Sequence, residues 1–227
     1  MSRARLQAVL FDLDGTLADT APDLIGALAR LRIELGLPAT DSGPLRALVG
    51  RGAVAILEAG LPELGRSDRE AFRERFLDDY RVNCWVESRP FEGMPECLEK
   101  IESLGLAWGV VTNKIARLAG PVLEHAGWSR RAGCLIAGDT TARPKPAADP
   151  VLAACAALGV APANVLFVGD DHRDVLAGRA AGCITAAALW GYIPSAEDSH
   201  AWQADLMLES PVKLGEAIAD WQLQAIA

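Results

Sequence analysis

The stretch AVLFDLDGT, residues 8–16, joins a short apolar run to two aspartates and a glycine. The apolar part is too short for a helix and has the character of a buried parallel strand. Side chains alternate between the two faces of an extended chain, so Asp12 and Asp14 point in roughly the same direction while Leu13 points into packing. The stretch therefore predicts a strand that ends in two neighbouring carboxylates.

Similar apolar runs recur along the chain and alternate with helical patterns. The runs are WGVVTN at 108–113, CLIAGD at 134–139, NVLFVGDD at 164–171 and ITAAAL at 184–189. Helical periodicity lies between them, at residues 94–104, 150–158 and 173–181. This alternation predicts an α/β fold, a parallel sheet with helices on both faces. The polar residues that end the strands would then gather at one edge of the sheet, where ligands bind in such folds.

One long interval departs from this alternation because it has no strand signal. It begins with a helix whose apolar positions follow a 3.6-residue period, and Ser67 with Glu70 fits a capping box at the start of a later helix. We interpret residues 19–88 as a small α-helical domain. It is inserted into a core formed by residues 1–18 and 89–227.

Composition limits the classes of function. The chain has 227 residues, 51% of them hydrophobic, and a formal net charge of -8, which disfavours nucleic acid and anionic membranes as partners. The five cysteines contain no C-x-x-C pair and favour free thiols in a reducing cytosol. The N-terminal apolar run is too short for a signal peptide or a membrane span. We expect a cytoplasmic protein that is a monomer or a homodimer.

The aspartates suggest chemistry on phosphate. Adjacent buried carboxylates repel each other, and a divalent cation such as Mg²⁺ would relieve that repulsion; we expect Asp12, Asp14 and Asp170 as its ligands. With the phosphate charge neutralised, Asp12 can attack phosphorus and form an aspartyl-phosphate, while Asp14 acts as general acid and base. Asp171 is a possible further ligand, and Asp174 is suited to capping or orienting the next helix.

Three other polar residues follow strand runs and suit phosphate binding. Thr112 and Asn113 offer a hydroxyl and backbone N–H groups to phosphate oxygens. Lys145 lies between two prolines that stiffen its backbone, and its charge would stabilise both Asp12 and a phosphoryl group. Each of the three alone is more typical of a turn residue or a solvated lysine. The prediction therefore depends on their occurrence together with the aspartates.

The motifs resemble those of the haloacid dehalogenase superfamily. The resemblance consists of Asp-x-Asp-Gly-Thr at 12–16, then Thr112, Lys145 and Gly-Asp-Asp at 169–171, in that order over nearly the whole chain. Within the superfamily the chain resembles phosphoglycolate phosphatases. The stretches FEGMPE, WGVVTNK, VLFVGDDHRD and WGYI are similar to bacterial N-acetylmuramic acid 6-phosphate phosphatases of peptidoglycan recycling. Asp171 departs from the pattern, because many relatives have serine there.

The resemblance implies a Rossmann-like core with a helical cap and a magnesium-dependent phosphatase acting on a small phosphorylated metabolite. The implied substrate is 2-phosphoglycolate or N-acetylmuramic acid 6-phosphate. The implied site consists of the nucleophile Asp12, the acid/base Asp14, phosphate contacts at Thr112, Asn113 and Lys145, and the metal ligand Asp170. Arg51, in a cap loop, would meet the substrate carboxylate, although a solvated arginine is equally expected there.

Two alternatives stay open. A sugar phosphomutase of the same superfamily uses the same residues and differs in its cap. A non-catalytic regulator could retain the fold, although the full set of charged residues argues against it. A dehalogenase is disfavoured, because it has no need of the acid/base at Asp14.

Overall fold

The computed structural model describes residues 5–193 and 199–225. Its strands are β1 (Ala8–Phe11), β2 (Ala18–Asp19), β3 (Arg89–Pro90), β4 (Ala107–Val111), β5 (Leu135–Ile136), β6 (Val165–Gly169), β7 (Ile184–Ala188) and β8 (Leu206–Leu208). Six of them form a parallel sheet in the order β5-β4-β1-β6-β7-β8. The predicted α/β fold is confirmed, and each predicted strand run contains a strand. The short strand β8 was not predicted.

Helices connect the strands. They are α1 (Ala21–Glu34), α2 (Gly43–Arg46), α3 (Gly52–Gly60), α4 (Arg66–Val82), α5 (Met94–Ser103), α6 (Ala116–His125), α7 (Asp149–Leu158), α8 (His172–Ala181) and α9 (Pro211–Gln224). Short 3₁₀ turns occupy Val49–Arg51 and Pro162–Asn164. Across residues 5–193 and 199–225, the helices are too short or too polar to cross a membrane.

The first four helices leave and rejoin the core at one place. There β2 and β3 pair antiparallel, with Ala18 opposite Pro90. Next to this pair, the buried carboxylate of Asp23 in α1 accepts hydrogen bonds from the N–H groups of residues 86–88 and from the Ser88 hydroxyl. The two crossing segments are therefore fixed to each other. The division into domains at residues 18/19 and 88/89 stays a prediction, and residues 1–4, 194–198 and 226–227 lie outside the described part.

The predicted capping box at Ser67 is wrong. Helix α4 begins at Arg66, so Ser67 lies inside its first turn, and the N-cap position is occupied by Gly65 in an extended conformation without a side-chain cap. Glycine is among the residues favoured at an N-cap. The helix therefore starts two residues before the local motif suggested.

Strand β1 lies at the centre of the hydrophobic core. All four residues of β1 are buried, as expected for a strand covered by helices on both faces. The ring of Phe11 packs edge-on against Trp108 of β4 with centroids 6.3 Å apart. The same apolar cluster continues into the inserted helices, where Leu28, Phe76 and Tyr80 are fully buried. This packing seats α1 and α4 over the carboxyl edge of the sheet.

Candidate active site

The carboxyl ends of the central strands open into one cavity of about 240 Å³ beneath the inserted helices. The sheet order places the ends of β4, β1 and β6 side by side, so the polar residues that end them gather at one edge of the sheet, as predicted. The residues predicted for the site all line this cavity; they are Asp12, Asp14, Arg51, Thr112, Asn113, Lys145 and Asp170. The structure therefore brings together side chains from five separate parts of the chain.

Lys145 is a buried cation of this cavity. Its Nζ lies 2.9 Å from Asp12 Oδ1 and 2.6 Å from Asp174 Oδ1, and it donates a hydrogen bond of 2.8 Å to the carbonyl of Val111. Burial opposes the charge of Lys145, but the carboxylates of Asp12 and Asp174 outweigh burial and raise its pKa. The lysine is therefore held as a cation beside Asp12.

The backbone of Lys145 is clamped by Asn113. The side-chain amide of Asn113 donates to the Lys145 carbonyl at 3.0 Å and accepts from the Lys145 N–H at 3.0 Å. The amide is therefore engaged in holding the lysine loop against the end of β4. A contact between Asn113 and phosphate stays a prediction. Thr112 is buried beside it, and its hydroxyl oxygen accepts from the N–H of Lys114 at 3.1 Å.

Three carboxylates form the acidic group of the site. Asp12, Asp170 and Asp174 each offer an oxygen, and the three oxygens lie within 4.8 Å of one another. Asp170 is buried and accepts hydrogen bonds from the Thr16 hydroxyl at 2.7 Å and the Tyr192 N–H at 2.8 Å. The pKa of Asp170 is raised well above its usual range. Burial is the largest cause, and the nearby charges of Asp12 and Asp174 add to it.

Asp174 has two roles in this arrangement. Its Oδ2 accepts from the N–H of Asp171 at 3.1 Å and completes a capping box at the start of α8, which confirms the interpretation of Asp174 as a capping residue. Its Oδ1 contacts Lys145, which the sequence did not indicate. The carboxylate of Asp171 points to Arg173, with Oδ2 2.7 Å from Nη2. Although burial opposes it, this contact lowers the pKa of Asp171.

The carboxylate of Asp14 lies in the cavity but outside the group of three. Its Oδ1 accepts from Lys114 Nζ at 2.6 Å and from the Thr20 hydroxyl at 2.5 Å. A metal contact from Asp14 stays a prediction. Lys114 was missed, because a lone lysine after a strand looks like a surface residue; here its side chain is only 6% exposed and lies over the ring of Tyr80.

Gly15 allows the chain after β1 to pass close to the carboxylate of Asp170. Its φ of +83° is accessible chiefly to glycine, and a Cβ at this position would overlap the carboxylate of Asp170. The chain therefore turns tightly at Gly15, beneath the carboxylates. Gly191 is constrained in the same way from the other side, because a Cβ there would overlap the Asp170 side chain.

The inserted helices supply the opposite wall. Its apolar part comes from Leu24, Val49, Ala53, Ile56 and Leu77. Two arginines of this wall line the cavity, Arg51 in the 3₁₀ turn and Arg73 on α4, and Arg173 of α8 lines it as well. Arg51 is exposed, and Arg73 was not singled out in the sequence. A hydrogen bond of 2.5 Å from Arg173 to the carbonyl of Gly50 joins this wall to α8.

Comparison with known proteins identifies relatives over most of the chain. The protein-family model of the haloacid dehalogenase-like hydrolases matches residues 9–188 of this chain. The chain is 45% identical to an N-acetylmuramic acid 6-phosphate phosphatase of Pseudomonas aeruginosa, covering 94% of this chain and 95% of the relative. It is 42% identical to a phosphoglycolate phosphatase of Xanthomonas campestris pv. campestris, covering 94% and 96%.

A solved structure agrees in fold. A predicted phosphoglycolate phosphatase from Haemophilus somnus superposes with a TM-score of 0.82 at 25% identity, covering 94% of this chain and 98% of that one. The resemblance stated from the motifs is therefore confirmed. The chain belongs to the haloacid dehalogenase-like hydrolase family.

Proposed function

We propose that this protein is a magnesium-dependent phosphomonoesterase that forms an aspartyl-phosphate at Asp12. The observation that carries the proposal is the contact of 2.9 Å between Lys145 Nζ and Asp12 Oδ1, inside a cavity that Asp170 also lines. A buried cation beside a carboxylate nucleophile keeps that nucleophile ionised and offers charge to a bound phosphoryl group. The names of the relatives, both phosphatases, support the same reaction class.

The acidic group suits a divalent cation. The oxygens of Asp12, Asp170 and Asp174 lie within 4.8 Å of one another, and Lys145 contacts two of these carboxylates, so the buried acidic groups outnumber the cation beside them. Oxygen ligands of this kind are those that magnesium prefers. Asp12 and Asp170 would hold the ion, with Asp174 beside them. When bound, the ion would neutralise charge on the phosphate.

The remaining steps are assigned to residues of the chain. An oxygen of Asp12 attacks phosphorus, the ester P–O bond breaks, and Asp14 gives its proton to the leaving alcohol oxygen. Asp14 then takes a proton from water, which attacks the aspartyl-phosphate and releases inorganic phosphate. Its Oδ1 is anchored by Lys114 and Thr20, whereas Oδ2 has no hydrogen-bond partner in the described part of the chain and is free to carry the proton.

The substrate we propose first is N-acetylmuramic acid 6-phosphate, with 2-phosphoglycolate second. Both molecules combine a phosphate with a carboxylate, which the arginines at positions 51 and 73 suit. The apolar wall favours the sugar acid, because its acetyl and lactyl methyl groups would be buried there while phosphoglycolate has no methyl group.

A substrate panel tests the proposal. Release of inorganic phosphate is measured with N-acetylmuramic acid 6-phosphate, 2-phosphoglycolate, glucose 6-phosphate and p-nitrophenyl phosphate, with magnesium and with a chelator. We expect magnesium-dependent release, the highest kcat/KM for a carboxylate-bearing ester, and no turnover by Asp12→Asn. An isomeric sugar phosphate in place of inorganic phosphate would indicate a mutase. Absence of magnesium-dependent turnover on every ester would reject the enzymatic proposal.

A further inference from the structure

We propose that Arg73 is a specificity-determining residue that binds the substrate carboxylate through the Nε–Nη2 edge of its guanidinium group. The inference rests on the proposed function, because it assigns a ligand group to the same cavity. It extends that function by distinguishing Arg73 from Arg51. The chemical class recognised is a carboxylate distal to the phosphate.

Arg73 lies on the wall that faces the strand ends. It precedes Leu77 by four residues on α4, so the two side chains share one face of the helix, and both line the cavity. Asp12 and Lys145 line the same cavity from the sheet side. A molecule whose phosphate lies at Asp12 would therefore present its other end to the inserted helices.

The guanidinium group of Arg73 is only partly neutralised. Its Nη1 lies 3.4 Å from Glu70 and 3.9 Å from Glu74, both on its own helix. Glu74 is also 2.5 Å from Arg117, a second cation that shares its charge. The two contacts of Arg73 with glutamates are long for ion pairs and involve only Nη1. They orient the guanidinium group without satisfying its other N–H donors.

The opposite edge of the group has no acceptor among the residues that the structure describes. Nε of Arg73 is buried and has no hydrogen-bond partner within the described ranges, and no acceptor is found there for Nη2. Nε and Nη2 present two parallel N–H groups, the pair that a carboxylate bridges with its two oxygens. An unpaired donor at the wall of a cavity whose substrate carries a carboxylate is the feature that distinguishes this arginine.

Arg51 differs in ways that suit a more general role. Its side chain is exposed, and it also lines a neighbouring groove beside Tyr192 and Trp202. An exposed arginine loses more rotamer freedom on binding than one already held by its own helix. We therefore assign carboxylate discrimination to Arg73 and attraction of the anionic ester to Arg51.

The test uses two pairs of esters; the members of the first pair differ in the lactyl group that bears the carboxylate, and those of the second have a carboxylate or a methyl group at the same position. N-acetylmuramic acid 6-phosphate is compared with N-acetylglucosamine 6-phosphate, and 2-phosphoglycolate with ethyl phosphate. For the carboxylate-bearing member of the pair that the protein hydrolyses, Arg73→Met should lower kcat/KM by about 10- to 100-fold. The loss on its partner should stay below about 3-fold. The kcat/KM of Arg73→Lys for the carboxylate-bearing ester should lie between those of the wild-type protein and Arg73→Met, because a lysine keeps the charge and loses the bidentate geometry.

Arg75 provides the control on the same helix. It is 63% exposed, pairs with Glu34 at 2.7 Å and does not line the cavity. Arg75→Met should leave both members of each pair unchanged. Thermal unfolding of every variant identifies any general loss of structure. An equal loss on both members of a pair, or no loss with Arg73→Met, would overturn the proposal.

Binding to Asp12→Asn protein separates this proposal from the enzymatic one. Calorimetric titration with each ester should show tighter binding of the carboxylate-bearing member, and adding Arg73→Met should remove that preference. If the wild-type protein hydrolyses no ester but the preference and its loss are seen, the enzymatic proposal fails and the role of Arg73 stands. If Asp12→Asn protein shows no preference, the role of Arg73 is rejected.

Discussion

Lys114 Nζ lies 2.6 Å from Asp14 Oδ1, and both side chains are largely buried. The lysine follows β4 and the aspartate follows β1, so the contact joins two neighbouring strand ends. On its other side Nζ lies 4.7 Å from the centre of the Tyr80 ring on α4, within reach of a cation–π contact. The ion pair is thus enclosed between the sheet edge and an inserted helix, where water screens it little.

We predict that Lys114→Met impairs proton transfer by Asp14. Without Nζ the carboxylate loses one of the two donors on Oδ1 and no longer presents Oδ2 in a fixed direction. Hydrolysis of an alkyl phosphate should fall by about 100-fold, the lower end of what a general acid contributes. Hydrolysis of p-nitrophenyl phosphate should fall much less, because its leaving group needs little protonation.

The comparison of the two leaving groups distinguishes positioning from simple damage. Lys100→Met, at an exposed position on α5, serves as the control and should change neither rate. Removing one partner of a buried pair is destabilising, so rates are measured well below the melting temperature of each variant. Equal losses on the alkyl and aryl esters would contradict the assignment.

We predict that Asn113→Ala lowers both stability and kcat. The substitution removes two hydrogen bonds to the backbone of Lys145, and the free energy of unfolding should fall by about 1–3 kcal/mol. Because the lysine then lies less accurately beside Asp12, kcat should fall more than KM rises. Urea unfolding and steady-state kinetics measure the two effects. A rise in KM alone, with unchanged stability, would show that the amide contacts substrate instead.

We predict that stability without metal decreases as the pH rises through about 7. Burial, partly offset by Lys145, raises the pKa of Asp174 to about 7, and the pKa of Asp170 is raised as well. A carboxyl group whose pKa is higher in the folded than in the unfolded chain stabilises the fold while protonated. That contribution is complete below the unfolded value of about 3.9, falls progressively as the pH rises toward the folded value, and is fully lost above it.

Magnesium should reverse this loss. The ion would bind the deprotonated carboxylates, so its stabilising effect should be greater at pH 8 than at pH 6. Melting temperatures with magnesium and with a chelator, at both pH values, measure the effect. Asp170→Asn should raise the melting temperature of the metal-free protein and abolish the increment from magnesium. An increment that is equal at both pH values would contradict the prediction.

The parts of the site that depend on strand order could be predicted from sequence. Asp12, Lys145 and Asp170 each follow a buried strand run or its loop, and parallel strands bring such positions to one edge. The contact of Lys114 with Asp14 could not be predicted, because packing between distant segments brings the two together. The place of Arg73 in the cavity could not be predicted either, because it depends on how α4 packs over the sheet edge. Asp174 illustrates the limit: its role in the helix cap follows from local spacing, whereas its contact with Lys145 does not.

We predict that Tyr192→Phe loosens the start of α1. The Tyr192 hydroxyl accepts from the N–H groups of Thr20 and Ala21 at 2.8 and 3.0 Å and donates to Asp19 at 2.9 Å. It thereby replaces the side-chain cap that Thr20 does not supply, because the Thr20 hydroxyl is bonded to Asp14. Phenylalanine would leave two N–H groups without an acceptor at a cost of about 1–2 kcal/mol.

Amide exchange should accordingly be faster in α1 of the Tyr192→Phe protein, and urea unfolding should occur at lower concentration. Tyr80→Phe is the matched control, since the Tyr80 hydroxyl is buried and has no hydrogen bond to α1 in the described part of the chain. Its removal should leave exchange in α1 unchanged, and its ring would still face Lys114. Similar exchange in the two variants would mean that the Tyr192 hydroxyl does not fix α1, and that the β2–β3 pair and Asp23 hold the inserted helices without it.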